Sequence, residues 1–250
     1  MINELIEIAR NAGEQILKIY NDPDLQSHVD YKSDDSPLTK ADIASNEVII
    51  DGLLALDEQY PILSEEEKHQ NYEERKSWEK FWLVDPLDGT KEFINRNGEF
   101  TVNIALISNR KPILAVIYVP VLDTLYIADA DGAFKQIGEK KEMIGVNNAK
   151  SGRIAVRSKS HASPEEEGVL NRYDVTDSIS VGSSLKFCMV AEGKADIYYR
   201  HGPTMEWDTA AGQAVLERAG GKVYIGANET EEFKYNKENL LNGSFLCLGF

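Results

Sequence analysis

Phe81-Trp82-Leu83-Val84-Asp85-Pro86-Leu87-Asp88-Gly89-Thr90 decides how this chain is read. The apolar run reads as a strand over 81–85, which gives way to a turn carrying carboxylates, a glycine and a hydroxyl. Such an end can hold hard metal ions and offer backbone N–H groups to an anion. Asp85 and Asp88 bracket a Pro-Leu pair, so a turn can point both carboxylates to one side. The Leu87 carbonyl is then a further oxygen ligand. Gly89 has no side chain to block approach to the backbone, where its own N–H and that of Thr90 are donors.

Working outward, Ser64-Glu65-Glu66-Glu67 closes a second apolar run, Pro61-Ile62-Leu63. A third acidic signal is Trp207-Asp208-Thr209-Ala210-Ala211-Gly212. Taken singly, these are ordinary features. Asp208 reads as a helix N-cap, Asp42 as a helix-start residue facing the dipole, and Glu66 and Glu67 as a solvated surface. Three acidic loops at element boundaries in one chain instead predict one assembled metal site.

The chain has 250 residues, 42% of them hydrophobic and 28% charged, which fits a folded domain with a substantial core. No apolar run approaches the ~20 residues that span a bilayer. Two cysteines, Cys188 and Cys247, form no disulfide framework. With an N-terminus lacking a basic leader, they predict a cytoplasmic location, with room for peripheral contact at a membrane face. The net charge of −15 argues against long nucleic acids as partners. A small phosphorylated molecule remains compatible if cations neutralise the site. Oligomeric state is not written in the sequence.

Apolar positions at a 3.6-residue period predict helices over 2–20 and about 39–54. Asp34-Asp35-Ser36-Pro37 reads as a turn between them. Strands are predicted at 61–64, 81–85, 101–108, 112–119, 124–128 and 153–158, the third to fifth as an antiparallel meander. After residue 160 the pattern alternates: helices at 164–171, 184–192 and 208–219, and strands at 195–199, 222–225 and 245–249. The class is α/β or α+β in layers, one unit of two packed lobes meeting near residue 150.

Glu65, Asp85, Asp88 and Asp208 together carry about four negative charges. At ~4 Å and an effective dielectric near 20, each unit pair is worth roughly 4 kcal/mol. An anionic substrate would be rejected unless divalent cations balanced that charge. With oxygen ligands and no Cys or His set at metal-ligand spacing, the cation expected is Mg²⁺ rather than Zn²⁺, and two ions balance four carboxylates. Thr90 Oγ is a candidate to hold the attacking water, with Asp42 behind it to orient and accept the proton.

These motifs resemble the signatures of the inositol monophosphatase superfamily of Mg²⁺-dependent phosphatases. The resemblance covers essentially the whole chain and implies that family's layered αβαβα sandwich. It implies Glu65, Asp85, Asp88, Asp208 and the Leu87 carbonyl as metal ligands and Asp42 with Thr90 as the water-activating pair. The fuller strings Phe81–Phe93 and Gly182-Ser183-Ser184-Leu185-Lys186-Phe187-Cys188 are similar to the bacterial bisphosphate-nucleotidase branch. That narrower likeness implies a phosphorylated nucleotide, adenosine 3′,5′-bisphosphate, as substrate. Its contacts would be His161, Ser183, Lys186 and Arg200, beside Glu65, Leu87, Asp88, Gly89, Thr90 and Asp208. A second phosphate needs fixed positive charge, which Lys186 and Arg200 can supply.

Other readings stay open at this point. An aspartyl-phosphate mechanism uses carboxylates two residues apart, whereas Asp85 and Asp88 are three apart. Inositol monophosphate, fructose 1,6-bisphosphate and a non-catalytic nucleotide or metal sensor are the remaining alternatives.

Overall fold

The computed structural model describes residues 1–22, 29–31, 37–158 and 164–250. In chain order the elements are α1 (Ile2–Tyr20), the hairpin β1 (Val29–Tyr31) and β2 (Pro37–Thr39), α2 (Lys40–Leu54), β3 (Ile62–Ser64) and α3 (Tyr72–Arg75). Then come β4 (Lys80–Asp88), α4 (Thr90–Ile94), β5 (Thr101–Ser108), β6 (Lys111–Val119), β7 (Thr124–Asp129), β8 (Gly132–Ile137) and β9 (Lys140–Met143). The second half contains β10 (Arg153–Arg157), α5 (Pro164–Leu170), β11 (Val175–Ser180), α6 (Leu185–Ala191), β12 (Ile197–Arg200) and β13 (Thr204–Met205). It ends with α7 (Trp207–Arg218), β14 (Lys222–Ile225), β15 (Leu241–Asn242) and β16 (Phe245–Leu248).

Strand alternation builds the layers. In the seven-stranded sheet, ordered β3-β4-β5-β6-β7-β8-β9, β3 and β4 run parallel and the remaining pairs antiparallel. Successive side chains on a strand point to opposite faces. Trp82, Val84, Val102, Ile104 and Leu106 accordingly pack under α1 and α2 with Leu5, Ala9, Ala12, Ile16 and Ile49. Phe81, Leu83, Ala105 and Ile107 face the other way and share a core with Phe187 of α6 and with Ala211 and Val215 of α7. That core continues into Val156, Tyr198, Val223 and Cys247 of a second sheet, ordered β11-β10-β12-β16-β14. The outer face of this sheet, through Ala155, Ile197 and Leu246, carries Val169 and Leu170 of α5. The order helix, sheet, helix, sheet, helix is the expected αβαβα sandwich.

Because α7 lies between the two sheets, it is buried nearly all round, with Trp207 and every residue from Thr209 to Leu216 buried. Gly212 lets the helices close: a Cβ there would lie 2.4 Å from the Phe187 ring.

Several elements differ from the sequence reading. β4 extends to Asp88 instead of ending at Asp85, because backbone pairing with β5 resumes at Asp88↔Thr101 beyond a bulge. The strands β8, β9 and β11 were not expected. All four residues of β9 are exposed, and β11 is largely so, so neither has an apolar alternation to read. The one-turn helices α3 and α4 are too short for periodicity. Residues 34–36 of the predicted turn lie outside the described residues. Among the described residues no helix is long and apolar enough to cross a membrane.

Candidate active site

The bulge in β4 builds the centre of the site. Asp85 pairs with Asn103 and Asp88 with Thr101 across the ladder. Three steps on β4 therefore match two on β5, and the extra residue returns Asp88 to the face Asp85 occupies. A regular strand would have turned Asp88 toward α1 and α2. The bulge is braced from behind: Ser45 Oγ of α2 donates to the Pro86 carbonyl (2.7 Å), and Leu87 N donates to Asp85 Oδ1 (3.1 Å). Gly89 follows at φ +90°, where a Cβ would lie 3.2 Å from Ser183 Cβ, and α4 starts at Thr90.

Two further elements deliver their carboxylates to this face. Strand β3 runs parallel to β4 with Ser64 opposite Val84, so Glu65 emerges next to Asp85, and its N–H donates to the Val84 carbonyl (3.1 Å). The chain beyond is tied down by Ser64 Oγ donating to Asn46 Oδ1 and Asn46 Nδ2 donating to Glu67 Oε1, both at 2.7 Å. Glu67 is exposed and engaged with α2, while Glu66 is half-buried. Asp208 stands in the first turn of α7, after the N-cap Glu206, and Oδ2 accepts from Met205 N (2.7 Å). One carboxylate oxygen each from Glu65, Asp85 and Asp208 lies within 4.8 Å of the others. Asp88 borders the trio, with Oδ2 accepting from Ser184 N (2.5 Å).

Like charges this close resist ionisation. Burial first, then the charges of Glu65, Asp88, Asp208 and Asp42, holds the Asp85 carboxyl well above the ordinary carboxylate range. Asp208 is raised by burial and by Asp88 and Glu65. For Asp88, burial outweighs the opposing pull of Lys186 and the Ser184 N–H, and the carboxyl is pushed up to about 6. Three converging carboxylates with no Cys or His among them form a hard-oxygen donor set, which suits a small divalent cation.

Asp42 sits behind Thr90. Its Oδ2 accepts from both the amide (2.7 Å) and the hydroxyl (2.6 Å) of Thr39, closing a capping box on α2. Its Oδ1 lies 3.4 Å from Thr90 Oγ1, and the same hydroxyl lies 3.5 Å from the Leu87 carbonyl.

Two cavities open here and share Asp88, Gly89, Lys91, Glu92, Arg200 and Asp208. The larger, ≈ 360 Å³, holds the carboxylates and Thr90. The smaller, ≈ 180 Å³, is lined by Ser183 and Lys186 over Tyr198 and Phe245. Lys186 is only 7% exposed. Its ammonium donates to the carbonyls of Ser183 (2.8 Å) and Val181 (3.4 Å), and burial pushes its pKa down against the pull of Asp88. Arg200 Nε is buried with no acceptor among the described residues. His161 lies outside the described residues.

The structure also brings in residues to which the sequence reading gave no role: Ser45, Thr101, Asn103, Ser184 and His69. His69 hydrogen-bonds the Ser64 carbonyl (2.9 Å) and packs on Trp207 (4.9 Å between rings), joining the Glu65 loop to the start of α7. Thr101 and Asn103 carried a usable signal, being polar at alternate positions of an otherwise apolar strand.

A five-layer sandwich with carboxylates gathered at a bulged strand end defines the class, and the chain belongs to the inositol monophosphatase family, whose model matches residues 1–246. Among individual relatives it is 46% identical over 245 residues to the 3′(2′),5′-bisphosphate nucleotidase CysQ of Shigella flexneri, covering 98% of each chain. The crystal structure of CysQ from Bacteroides thetaiotaomicron matches with a TM-score of 0.87 at 45% identity, over 99% of this chain and 96% of that one. An inositol monophosphatase from Anabaena matches with a TM-score of 0.75 at 25% identity, over 99% and 89%.

Proposed function

We propose that this protein is a Mg²⁺-dependent phosphomonoesterase that hydrolyses adenosine 3′,5′-bisphosphate to AMP and phosphate. The observation that carries the reading is the pair of joined cavities, the larger gathering Glu65, Asp85, Asp88 and Asp208, the smaller adding Lys186, with Arg200 at both. A substrate with one phosphate needs only the first; a bisphosphate needs cations away from the carboxylates as well. The names of the relatives described above support the same substrate class.

Glu65, Asp85, Asp88, Asp208 and the Leu87 carbonyl hold the divalent ions. When bound, Mg²⁺ supplies charge neutralisation, a lowered pKa for the attacking water and stabilisation of the leaving oxygen. Thr90 Oγ orients the water, and Asp42 Oδ1 accepts its proton through that hydroxyl. Thr39, by occupying Oδ2 twice, keeps Oδ1 aimed at Thr90. Lys186 and Arg200 bind the phosphate that is not cleaved, Arg200 through a guanidinium suited to two parallel hydrogen bonds. Tyr198 and Phe245 form an apolar floor beneath that group.

The test is turnover of adenosine 3′,5′-bisphosphate, inositol 1-phosphate and fructose 1,6-bisphosphate, each with Mg²⁺ and with chelator. The nucleotide is expected to have the highest kcat/KM, and chelator to abolish all turnover. A nucleotide that is the poorest of the three, or that binds with Mg²⁺ without releasing phosphate, overturns the reading.

A further inference from the structure

The turn Val181–Ser184 carries both Ser183 and the carbonyls that hold Lys186, yet its backbone is strained. Ser183 adopts φ +46°, a left-handed conformation that a non-glycine residue keeps only where its surroundings over-determine it. The turn is pinned on both sides of Ser183. Gly182 N donates to Glu99 Oε2 (2.7 Å), and Ser184 N donates to Asp88 Oδ2 (2.5 Å). A third fixing point lies in the buried polar pair of β5. Ser184 Oγ donates to Asn103 Oδ1 (2.8 Å) and lies 2.8 Å from Thr101 Oγ1.

Counting protons orders this cluster. Ser184 has a single hydroxyl proton, which goes to Asn103, so Thr101 must be the donor in its contact with Ser184. Thr101 also lies 3.3 Å from Ser183 Oγ, but its one proton is taken by the shorter contact. Ser183 Oγ, 3.3 Å from Thr101 Oγ1, lines the smaller cavity. Asn103 thus acts at a distance: its amide oxygen orients the Ser184 hydroxyl and, through it, that of Thr101. Asn103 itself is 1% exposed and its ladder partner is Asp85, so the pair of strands that builds the carboxylate corner also anchors the turn.

We propose that Asn103 is a positioning residue which, through Ser184, locks the strained Ser183 turn and so presents Ser183 and Lys186 to the phosphate left uncleaved. This deepens the function proposed above and rests on it for the identity of the ligand. The turn sets the distance between the carboxylate corner, reached through Asp88, and Lys186.

The experiment compares wild type, Asn103→Ala, Ser184→Ala, the double variant and Ser184→Thr. Three readouts are taken: hydrogen exchange of the peptide spanning 181–187, AMP affinity by calorimetry, and KM and kcat for adenosine 3′,5′-bisphosphate. Asn103→Ala is expected to speed exchange in that peptide, and to weaken AMP binding and raise KM about tenfold, the equivalent of one lost buried hydrogen bond. kcat should change less than KM. Ser184→Ala should match it, the double variant should cost no more than either single one, and Ser184→Thr, which keeps the hydroxyl, should restore affinity. Unchanged exchange in Asn103→Ala overturns the proposal. So does faster exchange with unchanged AMP affinity and KM, which would leave Asn103 a purely structural residue, as would additive losses in the double variant. If wild type binds AMP and the variants weaken it but the bisphosphate is not hydrolysed, the function falls and the positioning role stands. If wild type hydrolyses it and affinity is insensitive to Asn103, the reverse holds.

Discussion

Replacing Asp88 by Asn should make the cation-free protein more stable while destroying its activity. Asn is close in shape to the protonated carboxyl and can still accept from Ser184 N with its amide oxygen. The Asp88 carboxyl is pushed from 3.8 up to about 6, chiefly by burial. At ~1.36 kcal/mol per unit, the folded protein prefers the neutral form by roughly 3 kcal/mol. The sign follows from linkage. A carboxyl whose folded-state pKa is raised contributes its full stability below 3.8 and loses it as pH rises through about 6. At about pH 7.5 with chelator, Asp88→Asn should therefore exceed wild type by up to roughly 3 kcal/mol, or about 6–12 °C in Tm for a chain of this size. The difference should shrink toward zero near pH 4, where wild type is itself protonated. Saturating Mg²⁺ should narrow or reverse it, because wild type gains about 2.7 kcal/mol at a hundredfold excess over Kd and the variant gains less. Urea unfolding followed by tryptophan fluorescence at the two pH values, with and without Mg²⁺, measures all of this. A variant no more stable than wild type at neutral pH under chelator would refute the account in which burial disfavours the ionised Asp88.

Two other expectations test the neighbouring structure. Lys186→Ala should raise KM for the bisphosphate by ten- to a hundredfold, from about 1.5–3 kcal/mol of charge-assisted hydrogen bonding, with little effect on a monophosphate. Equal losses on the two substrates, measured by steady-state kinetics, would remove its proposed selectivity role. Gly212→Ala should destabilise the fold by about 1–3 kcal/mol through overpacking, since its Cβ would meet the Phe187 ring at 2.4 Å between α6 and α7. Thermal unfolding measures this, and an unchanged Tm would show that the two helices can separate without cost.

Much of the architecture was legible because burial imposes a period. The stripe Leu5, Ala9, Ala12, Ile16 announces α1, and the runs at 101–108 and 112–119 announce the meander. Edge strands gave no such sign: Lys140–Met143 is held by backbone pairing with β8, which any side chains permit. The acidic loops were likewise visible as chemistry on the wrong scale. Residue types at 65, 85, 88 and 208 announced hard-oxygen ligands, but their separation along the chain says nothing of distance in space.

The sequence by itself determined the residue types of the site, the helices and central strands, and the need for cations against so many carboxylates. Only the tertiary structure decided that a bulge in β4 puts Asp85 and Asp88 on one face. Tertiary packing likewise put Asn103 behind Ser184 at the cavity wall and buried Lys186. Side-chain period is a local property that a sequence states directly. Convergence and burial depend on which strands pair and in what register, and those are settled by packing across the whole chain.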